Sequence, residues 1–338
     1  MNHTRILAAA LLALSIAAPA SAAEKLKVVI TETVTPLVPN SVQILAKNLG
    51  YYDKAGVDVE LVRVQQTPSA VAALTSGDGD MANVSVDAVL QLVARGQIKA
   101  KAVISPDKAI PFMIASKDTL KTAKDLEGHT FGVSRLGSLD HSLSMLVMNK
   151  LGINTDKVEL VNVGEPTIRA TALAAGKVDS TSMSIGVWSS MKEKSGLHIL
   201  VPQNVYFDAA PLLSKVNIVT AETATKKKAA ITAFVKGIMM ASRDFHNDPK
   251  IWVEAMVKER SDVPRETLEL LGEAYKNSWS VNGGLNLEAI GFTTDTIFQG
   301  QDYKDLKKPA PAEWVDTSFA DGLVKAMGKT AGIDDPGR

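Results

Sequence analysis

The chain has 338 residues, of which 37 are Lys or Arg and 37 Asp or Glu, so its formal charge is zero, and it has no cysteine. That balance excludes the basic surface that a nucleic-acid groove or an anionic membrane requires. The missing thiols exclude disulfides, thiolate metal sites, cysteine nucleophiles and a lipidated-cysteine tether, so burial alone must stabilise a chain long enough for about two domains of roughly 150 residues.

At the amino terminus, Arg5 precedes an apolar run from Ile6 to Ala18, Pro19 breaks it, and Ala20-Ser21-Ala22-Ala23 are small. This order predicts a secretory signal peptide over 1–23, cleaved before Ala23 or Glu24. The run is too short to span a bilayer core of about 30 Å. A periplasmic protein is therefore expected.

Lys25 to Thr31 reads as a buried strand. Ser41 to Gly50 carries Val42, Leu45, Ala46 and Leu49 at helical spacing, with Gly50 as its stop. Val57 to Val64 alternates as a strand. Pro68 opens a helix that runs through Ala70 to Thr75 and ends in the glycines of Ser76-Gly77-Asp78-Gly79-Asp80. Met81 to Ser85 is read as a strand, Val86 to Ala94 as a helix and Lys101 to Ser105 as a strand. Such alternation predicts a mostly parallel sheet flanked by helices.

A second unit of the same kind follows. Thr130 to Val133, Val158 to Val163 and Ser180 to Ile185 are its predicted strands; Leu139 to Leu151 and Thr167 to Ala175 are its helices. Pro106 and Pro111 bracket the passage in, and Pro202 to Pro211 reads as the passage out. Beyond that the chain reads as largely helical. Ile231, Phe234, Val235, Ile238, Met239, Ser242 and Phe245 share one helical face, Asn247-Asp248-Pro249 stops it, and Trp252, Leu268, Leu271 and Tyr275 continue the pattern.

The stretch from Ala70 to Ser85 echoes the one from Ile168 to Ser184. In each a helix ends at Gly, an Asp follows, and a short strand finishes in small hydroxyl residues. Open α/β sheets bind ligands beyond such strand ends, so two facing units predict a cleft.

Five stretches carry a family resemblance: Ala46 to Val64, Ala73 to Ser85, Thr122 to Ile153, Ala172 to Ser180 and Phe234 to Pro249. In this order they resemble the periplasmic solute-binding proteins of the nitrate/sulfonate/taurine ABC-transporter family, which includes thiamine-precursor-type members. The resemblance implies an α/β, two-lobed binding-protein fold with two hinge crossings. Lobe 1 would comprise 24–107 plus 208–338, and lobe 2 108–207. It further implies a monomer with no cofactor, which closes on a small anionic or heterocyclic ligand and delivers it to an ABC-transporter permease at the inner membrane. A ligand sensor for a signalling receptor is the alternative; an enzyme of the thiamine-pyrimidine synthase type is disfavoured by the absence of Cys.

The expected site joins loops of both units. Gly137, Ser138 and Leu139 follow a strand and open a helix, whose N–H groups suit an anion or polar substituent; the bland alternative makes Ser138 an ordinary cap. Asp140 in the same turn opposes an anion unless it points away. Thr33 and Val34 follow the first strand. Ser85 and Ser184 end the echoed strands, Ser85 with a helix cap as its alternative role. Trp188 offers a stacking face or lobe packing, and Glu165 stands in a loop that could reach the cleft. Arg135 and Arg169 could pair with an anion. Asp78 and Asp80 lack the spacing of a calcium loop, the five histidines are scattered, and no catalytic constellation is present.

Overall fold

The computed structural model describes residues 23–107, 112–134, 136, 139–300, 303–332 and 334. The predicted signal segment before Ala23, together with Arg135, Gly137 and Ser138, lies outside the described residues.

The first unit runs β1 (Glu24–Ile30), α1 (Val42–Asn48), α2 (Tyr51–Ala55), β2 (Val57–Arg63), α3 (Thr67–Ser76), β3 (Met81–Ser85), α4 (Val86–Ala94) and β4 (Ala100–Asp107). The second runs β5 (Phe112–Lys117), β6 (Thr130–Val133), α5 (Leu139–Lys150), β7 (Glu159–Asn162), α6 (Pro166–Ala174), β8 (Ser180–Ser184), α7 (Ile185–Ser190), β9 (Leu197–Val201) and α8 (Gln203–Ala209). The chain then returns through β10 (Lys215–Thr220) and continues as α9 (Ala221–Lys226), α10 (Lys228–Asn247), α11 (Pro249–Glu259), α12 (Arg265–Tyr275), α13 (Leu287–Ile297), α14 (Pro311–Trp314) and α15 (Ser318–Met327).

Two five-stranded sheets result, in the orders β2-β1-β3-β10-β4 and β7-β6-β8-β5-β9. They repeat one plan. The first three strands of each are parallel, joined by the helices that the alternating sequence predicts. Each sheet then receives, antiparallel, the strand that has just crossed from the other: β10 beside β3, and β5 beside β8. The protein is thus α/β and two-lobed, each lobe a mixed sheet. Beyond the second passage the chain is largely helical, as expected, with β10 the strand that the helical pattern did not show. An apolar run of six residues has no period that separates strand from helix, and its partners β3 and β4 lie far upstream.

The echoed segments have an architectural meaning. Asp80, just before β3, accepts the backbone N–H of Lys27 in β1 and the ammonium of Lys227. Asp179, just before β8, accepts the backbone N–H of Thr130 in β6 and the ammonium of Lys117. Each carboxylate pins its strand to the neighbouring parallel strand, at the end of the sheet away from the strand termini at Ser85 and Ser184. Gly79 belongs to the same device: a Cβ there would stand 2.5 Å from the Val29 side chain.

Every residue of the predicted α10 face is buried. Burying each large apolar side chain there contributes about 1.5–3 kcal/mol. Phe234 stacks on Tyr52 at 5.1 Å between ring centroids, and Trp252 donates to Ser41 Oγ at 2.9 Å. One apolar cluster holds Trp252, Leu268 and Tyr275 together with Met113, Met183, Ile185 and Trp188. It crosses from one lobe to the other where α7 lies against α12.

Candidate functional site: the facing edges of two sheets

The passages fix how the sheets face. β4 ends at Asp107 in the first sheet and β5 begins at Phe112 in the second. β10 begins at Lys215, paired with both Ser85 and Asp107, while Phe112 pairs with Ser184. Both passages therefore leave the edge at which β1, β3, β6 and β8 terminate, and those termini confront one another. The helix α8 packs on β5 and α5, so the second passage occupies the short stretch between α8 and β10.

The first edge is polar in two layers. Four amide side chains form a closed ring behind it. Asn40 Nδ2 donates to Asn83 Oδ1 at 3.1 Å, Asn83 Nδ2 to Asn217 Oδ1 at 2.9 Å, Asn217 Nδ2 to Gln43 Oε1 at 2.8 Å, and Gln43 Nε2 to Asn40 Oδ1 at 2.9 Å. All four residues are at most 1% exposed. Within the ring each amide gives and receives one bond in a buried setting, where such chains reinforce one another and a missing member is costly. Strand alternation places Ser85 two residues beyond Asn83, and Lys215 two before Asn217, so this outer layer shares the ring's face. Glu32, just past β1, joins the layers: Asn40 Nδ2 also donates to Glu32 Oε1 at 2.9 Å. The Lys215 ammonium is hydrogen-bonded to Glu32 Oε1 and, at 3.0 Å, to Thr31 Oγ1.

The second edge is held by a buried pair. Asp140, in the first turn of α5, accepts the Ser134 backbone N–H at 2.9 Å and the Ser134 hydroxyl. Arg169 lies 3.5 Å from the same carboxylate and is 1% exposed. Its guanidinium also donates to the carbonyls of Gly164 at 2.8 Å and Ser182 at 3.1 Å. Burial lowers its pKa from the usual value, and Asp140, then Glu165, oppose that shift. Arg169, which the sequence allowed as an anion partner or a surface residue, is instead buried and held by Asp140, Gly164 and Ser182, and Asp140 points into the fold. Tyr206 meets Ser144 at 3.3 Å below them, and burial pushes its phenol upward.

Among the predicted site residues, Ser85, Ser184, Glu165 and the start of α5 at Leu139 stand at the facing edges; Gly137 and Ser138 lie outside the described residues. Ser85 occupies the cap position of α4 with no side-chain cap bond, whereas Ser184 is committed as a cap, accepting from Val187 N at 3.2 Å. Glu165 is exposed at the start of α6. Trp188 is 8% exposed and sits in the cluster shared by the lobes, with Lys194 Nζ 5.7 Å above its ring. Thr33 and Val34 border a hollow of about 380 Å³ with Arg63, Glu259, Arg260 and Asp262, at the flank of the first edge. Glu32, Lys215 and the amide ring were not anticipated. Their signal was present: an Asn at the centre of the apolar runs Met81 to Ser85 and Lys215 to Thr220.

No group of three or more metal-ligating side chains occurs among the described residues, and no helix there is long and apolar enough to cross a membrane. Residues 40–251, more than half the chain, match the family described as NMT1/THI5 like. The chain belongs to that family. No curated protein matches it. Among solved structures, the periplasmic aliphatic sulphonate binding protein SsuA of Escherichia coli has a TM-score of 0.60 at 15% identity, with 88% of this chain and 99% of that one covered. The ligand binding component of an ABC-type import system from Staphylococcus aureus, with zinc bound, gives 0.56 at 18%, covering 88% and 98%. The alkanesulfonate-binding protein SsuA of Xanthomonas axonopodis pv. citri, bound to MOPS, gives 0.51 at 17%, covering 85% and 95%. At these identities the likeness is one of fold.

Proposed function

We propose that this chain is an exported solute-binding protein that captures a small organic molecule between its lobes and delivers it to an ABC importer. The observation that carries the reading is the topology. Two sheets of one plan present their strand termini to each other across two short passages, an arrangement suited to hinge closure around a ligand. Family membership and the folds shared with importer components support it. The lobes are assigned as 24–107 plus 215–338 and 112–209, the second boundary falling past the expected 207 because α8 packs on β5 and α5, and the ligand contacts to Ser85, Glu165, Ser184 and the loop from Gly137 to Leu139. Thr33 and Val34 are assigned to its rim, and Trp188 to the contact between lobes.

The test is a thermal-shift screen of the mature protein against small sulfonates, carboxylates, amides and heterocycles, followed by small-angle scattering. A ligand at 100 times its Kd should add about 2.7 kcal/mol of stability, and the radius of gyration should fall at saturation. A screen in which nothing stabilises the protein sinks the reading.

A further inference from the structure

The Glu32–Lys215 pair has no part in the amide ring's closure, yet the ring is built up to it. The two side chains keep 16% and 23% exposure, in the outer layer at the gap, with the Ser85 hydroxyl on the same face. Glu32 Oε1 receives both Asn40 and Lys215, and Glu32 Oε2 has no hydrogen-bond partner among the described residues. The ammonium, with three donors, uses two of them on Glu32 and Thr31. The pair thus shows the gap one acceptor beside one donor, fixed from behind by buried amides.

The opposite edge is different in kind. Its buried pair, Asp140 and Arg169, is consumed by Ser134, Gly164 and Ser182. Glu165 apart, what it exposes is apolar. Among the described residues the exposed large apolar side chains are Val34, Leu136, Ile168, Leu270 and Leu287. Leu136 and Ile168, at 58% and 54% exposure, follow the adjacent strands β6 and β7 at this edge. Leu136 is held there by its N–H bond to Asn162 Oδ1 at 3.1 Å.

We infer that Glu32 and Lys215 read the head group of the ligand, and that this ligand carries no net charge: a hydrogen-bond donor beside an acceptor on a small aliphatic or aromatic body. This rests on the solute-binding reading. An anionic head drawn to Lys215 would meet Glu32 at comparable distance, so attraction and repulsion largely cancel while its hydration is still lost. A cationic head meets the same cancellation at Lys215. A neutral head such as a carboxamide satisfies both partners, and its apolar body would cover Leu136 and Ile168.

Three probes of one skeleton, pentanamide, pentanoate and pentylammonium, are titrated into wild type, Glu32→Gln and Lys215→Met, with circular dichroism confirming folding. Lys226→Ala, at an exposed pair with Glu222, is the control. Wild type and control should prefer the amide. Freed of its carboxylate, Glu32→Gln should shift preference toward pentanoate by roughly tenfold, and Lys215→Met toward pentylammonium by a similar factor. Either folded variant suffices for the comparison. A wild type that prefers an ion, binds none of the three, or keeps its order of preference in a folded variant overturns the assignment. Stabilisation by some other class in the wider screen would then leave the solute-binding reading standing.

Discussion

Replacing Asn217 with leucine should remove roughly 2–6 kcal/mol of folding stability. Asn217 is fully buried, accepts from Asn83 at 2.9 Å and donates to Gln43 at 2.8 Å. Leucine keeps most of the volume, so the cavity contribution is small. It strands one buried donor on Asn83 and one buried acceptor on Gln43, and each orphan costs about 1–3 kcal/mol. Against a total of about 5–15 kcal/mol for a domain, that is a large fraction. Urea unfolding followed by circular dichroism should show a lower midpoint at unchanged slope, the sign of lost stability without a changed mechanism. A loss below about 1 kcal/mol would refute the reasoning, because it would mean the stranded amides find partners that the ring does not supply.

Asp140→Ala should cost about 3–5 kcal/mol, since it leaves the Arg169 guanidinium buried without its counter-charge; adding Arg169→Met should recover part of the loss, and a double variant no more stable than Asp140→Ala would count against the pair. Burial alone would raise the Asp179 carboxyl, but hydrogen bonds from Lys117 and Thr130 outweigh it and hold the pKa at about 2. A depressed folded-state pKa contributes stability above the unfolded value of about 3.9 and loses it as pH falls toward 2. The stability difference between wild type and Asp179→Asn should therefore be present at pH 5 and shrink through this window in acid titrations followed by fluorescence. Ser184→Ala removes a helix cap and should lower stability by about 1 kcal/mol, whereas Ser85→Ala should leave thermal stability within about 0.5 kcal/mol and weaken ligand binding; the reverse pattern would exchange their roles. Mass spectrometry of protein from the periplasm should find a chain beginning at Ala23 or Glu24, and an intact Met1 in a membrane fraction would sink the export reading.

The sequence by itself determined the local grammar. Met81 to Ser85, Val86 to Ala94 and Thr130 to Val133 form where alternation and helical spacing place them, to the residue, because those periods reflect which side of one element is buried. The α10 face was legible for the same reason, and the echo marked two carboxylates that turn out to pin equivalent strands. Pairing partners were another matter. β5 and β10 each cross between lobes and insert antiparallel beside a strand distant in the chain, and no local pattern encodes which strand receives them. The site depends on that pairing. Asn83 and Asn217 are lone polar residues in apolar runs until β10 comes to lie beside β3. Only then do Asn40 and Gln43 close the ring, and Lys215 reach Glu32 across a sequence separation of 183. Arg169 shows the converse: its charge was visible in the sequence, but only the packing of α6 on β8 and β6 turned it inward to Asp140. Burial and long-range register, which decide whether a polar side chain serves the fold or faces a ligand, belong to the tertiary structure alone.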